Sequence, residues 1–144
     1  MNNSEEFISQ SVEQTKNFAA DFARRLKPGD VVCLKGDLGA GKTHFVKGMA
    51  LAFDIDESEI QSPTFTLINE YHGSKPLYHF DCYRMESVRE ALEIGAEEYF
   101  YGDGVSVIEW PERIQEIIPP EAVWITITTL APTKRKFVIQ QKGS

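Results

Sequence analysis

The sequence predicts an α/β fold in which a mostly parallel central sheet is flanked by helices. Segments of strand length alternate along the chain with segments of helical periodicity, the order expected when helices connect parallel strands. The run "VVCLK" at 31–35 is apolar and β-branched without polar alternation, as expected for a strand covered on both faces. The chain has 144 residues, and we expect a single domain over 1–144.

The first half of the chain is predicted to contain a helix, a strand and a second helix. Phe18 and Phe22 belong to one apolar stripe at i, i+4 spacing, which indicates an amphipathic helix. Ser11, with Gln14 three residues later, resembles a capping box at the start of that helix. The predicted elements are the helix 11–26, the turn 27–30, the strand 31–35 and the helix 42–53.

The second half is predicted to contain mainly strands, with one helical region between them. The segment "SVREALEIGAEEYF" has helical spacing in two pieces around Gly95, and Pro111 opens a short helix that closes at the pair Pro119-Pro120. Apolar or alternating runs predict the strands. These strands cover residues 64–71, 76–81, 104–110, 122–130 and 136–140.

Composition and cysteine use favour a cytoplasmic protein. The apolar fraction is 42%, close to the globular average, and no apolar run approaches the roughly 18 residues of a membrane span. The first ten residues, "MNNSEEFISQ", lack the pattern of a secretory signal. Cys33 and Cys82 lie far apart in apolar segments without CxxC spacing, so we expect two buried thiols.

The formal net charge of −7 disfavours direct binding to nucleic-acid phosphates. One basic run, "TKRKF" at 133–137, could oppose this net charge locally, and we interpret it as a solvated turn. Any role on nucleic acid is therefore expected to depend on a partner protein.

Residues 36–43, "GDLGAGKT", match the pattern G-x-x-x-x-G-K-[ST] between a predicted strand and a predicted helix. Gly39 and Gly41 allow backbone N–H groups to converge on an anion, and the helix N-terminus adds its positive dipole end. Lys42 is expected to reach the β- and γ-phosphates, and the Thr43 hydroxyl is expected to bind Mg²⁺. The fold class is therefore specified further as a P-loop NTPase-like domain.

Two acidic residues end predicted strands and complete the expected site. Asp81 follows "PLYHF" and Glu109 follows "GVSVI". In a parallel sheet the carboxyl ends of strands share one edge with the P-loop, so both carboxylates can face the phosphates. One would bind Mg²⁺, directly or through water, and the other would orient the attacking water or sense the γ-phosphate. The plainer alternative for either residue is that it only caps a turn.

Three functional classes stay open at this point. The guanine-binding pattern N-K-x-D is absent, which favours ATP over GTP. An ATPase, a small-metabolite kinase and a nucleotide-gated binding module all fit the motif. The segment Ser62-Pro63-Thr64 is either a switch near the γ-phosphate or an ordinary turn. His79 is interpreted as a satisfied histidine of a strand, with a proton relay as the alternative.

Four segments, "GDLGAGKT", "SPTFTLINEY", "LYHFDCYR" and "VIEWPE", occur in an order that resembles the bacterial TsaE (YjeE) family. The resemblance spans roughly 10–115. It implies slow ATP hydrolysis, association with TsaD-like and TsaB-like proteins, and a role in threonylcarbamoyladenosine modification beside the tRNA anticodon. tRNA would be contacted only indirectly or through that complex.

The resemblance also implies roles for individual residues. Asp81 would be needed for hydrolysis, Glu109 would be a second Mg²⁺ ligand beside Thr43, Thr64 would lie in a switch-like loop, and Ser11 would lie near the adenine. Cys82 departs from the family, which usually has a larger apolar residue there. The phosphate-binding residues are Asp37, Leu38, Gly39, Ala40, Gly41, Lys42 and Thr43.

Overall fold

The computed structural model describes residues 2–37, 41–61 and 68–142. In this part of the chain seven strands form one sheet in the order β1-β7-β6-β2-β5-β4-β3. The strands are β1 Asn2–Ser9, β2 Val31–Lys35, β3 Ile68–His72, β4 Pro76–Asp81, β5 Val105–Glu109, β6 Val123–Ala131 and β7 Lys134–Lys142. The helices are α1 Val12–Ala23, α2 Lys42–Ala52, α3 Val88–Glu93 and α4 Ala96–Phe100, with 3-10 segments at Glu57–Glu59 and Pro111–Ile117.

The four central strands, β6, β2, β5 and β4, are parallel, whereas the outer pairings are antiparallel. The predicted α/β class with a parallel centre and flanking helices is confirmed. Because the central strands run in one direction, their carboxyl ends meet at one edge. In the register, Glu109 of β5 lies between Leu34 of β2 and Asp81 of β4.

The lack of alternation in β2 has a direct structural cause, because the two faces of the sheet are both covered. Val32 and Leu34 pack in a cluster with residues of α1 and α2. Val31 and Cys33 pack on the opposite face with residues of α3, α4 and the second 3-10 segment. A strand buried on both faces has no position for a regularly placed polar residue.

Both cysteines are free and buried, as expected. Burial raises the pKa of Cys33, and it raises the pKa of Cys82 to about 12. Because the thiolate is the reactive form, these thiols are unreactive and belong to the core. Among the described residues, no helix has both the length and the apolar character needed to cross a bilayer.

The first strand, β1, was not predicted from the sequence. It pairs antiparallel with β7 over eight positions, with Phe7 opposite Phe137. The Phe7 ring also stacks on Phe18 of α1, with 4.2 Å between ring centroids. The segment is mostly polar and does not alternate, so long-range pairing, and not a local pattern, makes it a strand.

The interpretation of 133–137 as a solvated turn was wrong for most of that segment. Strand β7 begins at Lys134 and places Phe137 in the core. Its long pairing with both β6 and β1 explains why the three basic residues Lys134, Arg135 and Lys136 adopt extended structure. The predicted strand 64–71 is described only from Ile68, because residues 62–67 lie outside the described part.

Helix α1 begins as predicted and ends earlier. Ser11 is its N-cap, and the Ser11 hydroxyl accepts a hydrogen bond from Gln14 N at 3.1 Å. The Gln14 side chain accepts from Gln10 N at 2.7 Å, one residue earlier than in the usual capping box. The cap fixes the position at which the chain passes from β1 into the helix.

Helices α1 and α2 approach closely at Gly48. A Cβ on Gly48 would lie 2.4 Å from Lys16 O and 2.7 Å from Ala19 Cβ. No side chain fits there unless the helices separate. The position of α2, and with it the start of that helix at Lys42, therefore depends on this glycine.

We expect Gly48→Ala to destabilise the protein by about 1–3 kcal/mol, because the methyl group overpacks the helix crossing. Urea unfolding followed by circular dichroism measures the change. The control is Leu51→Ala on the same helix, where the side chain is 43% exposed and the change should stay within about 0.5 kcal/mol. Equal midpoints for the two variants would show that the crossing relaxes without cost.

Candidate functional site

A cavity of about 380 Å³ lies at the edge of the sheet where the central parallel strands end. Elements that are distant in sequence form its walls. These are the starts of α1 and α2, the ends of β4 and β5, and the β6–β7 hairpin. Of the residues predicted for the site, six line this cavity: Ser11, Gly41, Lys42, Thr43, Asp81 and Glu109.

The remaining predicted residues are not part of that lining. Asp37 lines a neighbouring cavity of about 340 Å³, together with Gly36 and Trp110. Trp110 lines both cavities. The other four residues, Leu38, Gly39, Ala40 and Thr64, lie outside the described part of the chain.

The start of α2 is suited to binding an anion. Gly41 has φ +104°, a conformation that favours glycine, and it precedes the helix without any side chain that could cap it. The first turn contains no acidic residue. Because the first N–H groups of a helix have no partner within it, they are available to an external anion.

Lys42 is 5% exposed, and its side chain lines the cavity. Lys42 Nζ donates a hydrogen bond to Gly36 O at 2.8 Å and lies 4.0 Å from the centroid of the Trp110 ring. Burial lowers the pKa of Lys42, and the charges of Glu109 and Asp81 act in the opposite direction. The protein therefore holds a partly desolvated positive charge that a polyphosphate would stabilise.

Asp81 and Glu109 are paired in the register of β4 and β5. Asp81 is half-buried, and its Oδ1 accepts a hydrogen bond from Tyr83 N at 3.0 Å. Burial raises the pKa of Asp81; the Tyr83 hydrogen bond opposes this rise and the negative charge of Glu109 adds to it. Two carboxylates side by side are more stable with a cation between or above them.

Glu109 is buried and makes a hydrogen bond with a second buried residue. Glu109 Oε2 lies 2.5 Å from His79 Nε2, and the His79 side chain is fully buried. His79 Nδ1 is also buried, and it has no hydrogen-bond partner in the part of the chain that is described. We expected a histidine whose ring nitrogens both have hydrogen-bond partners, and the structure shows such a partner for Nε2 alone among the described residues.

The hairpin between β6 and β7 forms a wall of the cavity that sequence reasoning missed. Pro132, Thr133 and Arg135 line it together with Ser11 and the start of α2. Arg135 Nη1 donates to the carbonyl groups of the hairpin at 2.9–3.2 Å. A Cβ on Gly41 would lie 3.9 Å from Arg135 Nε. The basic run at 133–137 was the sequence signal for this wall, but only the order of the strands in the sheet places it beside the site.

The oxygen donors in the cavity fit Mg²⁺. Thr43 offers a hydroxyl group, and Asp81 and Glu109 offer carboxylates. Within the described ranges, no group of three or more His, Cys, Asp or Glu residues could hold a metal ion by itself. Mg²⁺ is commonly bound by one or two carboxylates together with substrate phosphates, so this donor set suits a metal that arrives with a nucleotide.

Comparisons with known proteins agree on one family. The family model described as Threonylcarbamoyl adenosine biosynthesis protein TsaE matches residues 9–137. The tRNA threonylcarbamoyladenosine biosynthesis protein TsaE of Treponema pallidum (strain Nichols) is 46% identical over 132 residues, covering 92% of this chain and 97% of that protein. The TsaE protein of Bacillus subtilis (strain 168) is 45% identical over 133 residues, covering 92% and 82%.

A solved structure supports the same relationship. The crystal structure of Bacillus subtilis YdiB superposes with a TM-score of 0.83 at 39% sequence identity. The match covers 99% of this chain and 88% of that one. The shared architecture therefore includes β1 and the β6–β7 hairpin, which lie at the two ends of the chain.

We expect Asp81→Asn to raise the thermal midpoint at pH 7, because the neutral amide removes a half-buried charge that lies beside Glu109. Because the pKa of Asp81 is raised in the folded protein, its charge destabilises the fold at every pH above that folded-state pKa. The cost is lost as pH falls through that value towards 3.8. The advantage of the variant should therefore shrink in acid, as measured by calorimetry from pH 7 to pH 3.

The control for this prediction is Glu97→Gln, an exposed position of α4 that removes the same charge. It should leave the midpoint nearly unchanged at neutral pH. A lower midpoint for Asp81→Asn than for the wild type at pH 7 would contradict the assigned origin of the shift.

Proposed function

The chain belongs to the TsaE family of threonylcarbamoyl adenosine biosynthesis proteins, and on that premise we propose that it is a Mg²⁺-dependent ATPase of tRNA modification. The observation that carries the proposal is the convergence of Lys42, Asp81 and Glu109 with the start of α2 around one cavity. This is the set of groups that phosphoryl transfer requires, namely a phosphate cradle, a positive charge and two strand-end carboxylates.

The first step is binding of the triphosphate. The N–H groups at the start of α2 would bind phosphate oxygens, and Lys42 would exchange its bond to Gly36 O for a charge-assisted bond to phosphate. Mg²⁺, when bound, would neutralise charge on the phosphate oxygens, with Thr43 and Glu109 as its protein ligands. Ser11 and the hairpin side of the cavity would hold the nucleoside end.

The second step is attack of water on the γ-phosphate. Asp81 would orient this water, and its raised pKa makes it a better proton acceptor than an ordinary aspartate. Hydrolysis by the isolated chain is expected to be slow, because Asp81 and the mouth of the cavity remain open to solvent. Closure by a partner would exclude water and complete the site.

The proposed partners are TsaD-like and TsaB-like proteins. Tyr83 is 41% exposed at the cavity and packs on Trp110, with 4.8 Å between ring centroids. An exposed aromatic residue beside a nucleotide site is suited to a partner that responds to the bound nucleotide. The net charge of −7 supports action on the protein complex in the cytoplasm, with tRNA contacted through that complex.

The test is ATP turnover by the pure chain, alone and after addition of the TsaB–TsaD proteins of the same organism. We expect slow hydrolysis alone, marked stimulation by the partners, and formation of threonylcarbamoyladenosine in the complete system. Phosphate transfer to a metabolite would indicate a kinase instead. Complex assembly with ATP but with no turnover would indicate a nucleotide-gated binding module.

We expect Lys42→Ala to lower ATP hydrolysis about 100-fold or more, because it removes the cation that binds the reacting phosphates. A malachite-green phosphate assay measures the rate, and circular dichroism checks that the fold survives. The matched control is Lys47→Ala, a lysine of the same helix outside the cavity lining. Wild-type turnover by Lys42→Ala would refute the site.

We expect Arg135→Met to weaken ATP binding about 10-fold, since a charge-assisted hydrogen bond is worth about 1.5–3 kcal/mol. Titration calorimetry with a non-hydrolysable ATP analogue measures the affinity. Lys136→Met removes the same charge from the opposite face of β7, where Lys136 makes an exposed ion pair with Glu6 at 3.3 Å. Equal losses in both variants would show that only net charge matters.

A further inference from the structure

His79 lies beneath the two strand-end carboxylates on the same face of the sheet. Side chains alternate along a strand, so Leu77, His79 and Asp81 of β4 share one face. Leu77 belongs to the core cluster under α1 and α2, together with Val105 and Val107 of β5. In the register His79 is opposite Val107, which places it diagonally below Glu109.

The hydrogen bond from His79 engages one oxygen of Glu109. His79 Nε2 lies 2.5 Å from Glu109 Oε2. A carboxylate that binds a metal is ionised and can only accept, so in that form of Glu109 the donor is the N–H at Nε2. The side chains are 0% and 6% exposed, so water competes little for this bond. Among the described residues, the second oxygen of Glu109, Oε1, accepts no hydrogen bond.

This arrangement restricts how Glu109 can bind a cation. A carboxylate with both oxygens available can bind one ion with both, as is common for Ca²⁺. With one oxygen engaged by a buried donor, it offers a single oxygen. Mg²⁺ has a near-octahedral shell with short bonds, which single-oxygen carboxylate ligands satisfy well.

We propose that His79 is a positioning residue that holds Glu109 as a single-oxygen ligand and so favours Mg²⁺ over Ca²⁺ at the nucleotide site. This inference rests on the proposed function, because Glu109 is a metal ligand only if the cavity takes a metal–nucleotide complex. His79 acts through Glu109 and does not touch the nucleotide. Partners that orient a metal ligand typically change metal affinity 10- to 100-fold when they are removed.

The experiment compares His79→Leu, which removes the donor, with His79→Gln, which keeps an N–H at a similar distance from the backbone. Titration calorimetry gives the affinity for a non-hydrolysable ATP analogue without metal, with Mg²⁺ and with Ca²⁺. The quantity compared is the gain in affinity that each metal produces. Thermal midpoints of the metal-free proteins report any separate effect on the fold.

We expect the Mg²⁺-dependent gain to fall about 10-fold in His79→Leu while the Ca²⁺-dependent gain changes less. His79→Gln should retain most of the Mg²⁺ gain. In a Glu109→Gln background the leucine substitution should cause no further loss, because the two residues act through one bond. A purely structural role for His79 would instead lower all affinities together, in either background.

Two results would overturn the inference. One is an unchanged ratio of Mg²⁺ to Ca²⁺ gains in His79→Leu. The other is a loss in His79→Gln equal to that in His79→Leu, with both variants folded. If the wild type gains no affinity from Mg²⁺, the proposed metal site itself fails and the role of His79 falls with it. The titration without metal distinguishes the two failures: if the analogue still binds, only the metal site is wrong, and if it does not bind, the nucleotide site is wrong as well.

Discussion

The ammonium group of Lys42, held within the protein near two carboxylates, is the interaction on which the rest of the site depends. Burial disfavours the charge, and Glu109 and Asp81 offset that cost. The balance is unequal, because Lys42 gains from both carboxylates, whereas Asp81 also lies beside the negative charge of Glu109. The two carboxylates therefore leave an excess of negative charge beside Lys42, which is the environment that the proposed metal–nucleotide complex would need.

The sheet topology explains how these charges come together. The parallel central strands bring the ends of β2, β4 and β5 to one edge. The antiparallel strands β1 and β7 position the hairpin wall of the cavity. Strand β7 returns beside β6 and pairs with β1, which carries the hairpin residues across to the start of α1. A fully parallel sheet would supply the carboxylates but not the wall that contains Arg135.

Two residues next to the site, Gly48 and His79, fix the positions of the residues that line it. Gly48 permits the close packing of α1 and α2, so the start of α2 lies where Ser11 and the strand ends can reach it. His79 fills a position that would otherwise be apolar, between core residues of β4 and β5. A buried polar group at that place costs stability unless it has a partner, and the partner is a proposed ligand of the metal.

The sequence by itself determined the G-x-x-x-x-G-K-[ST] pattern, the two strand-end acids, the family and the buried parallel strands. Each of these depends on residues close together in the chain or on a local period. Only the tertiary structure decided that 2–9 is a strand, that Arg135 lies beside Gly41, and that His79 bonds to Glu109. These contacts depend on strand order and on register between distant segments, and neither leaves a pattern in the local sequence.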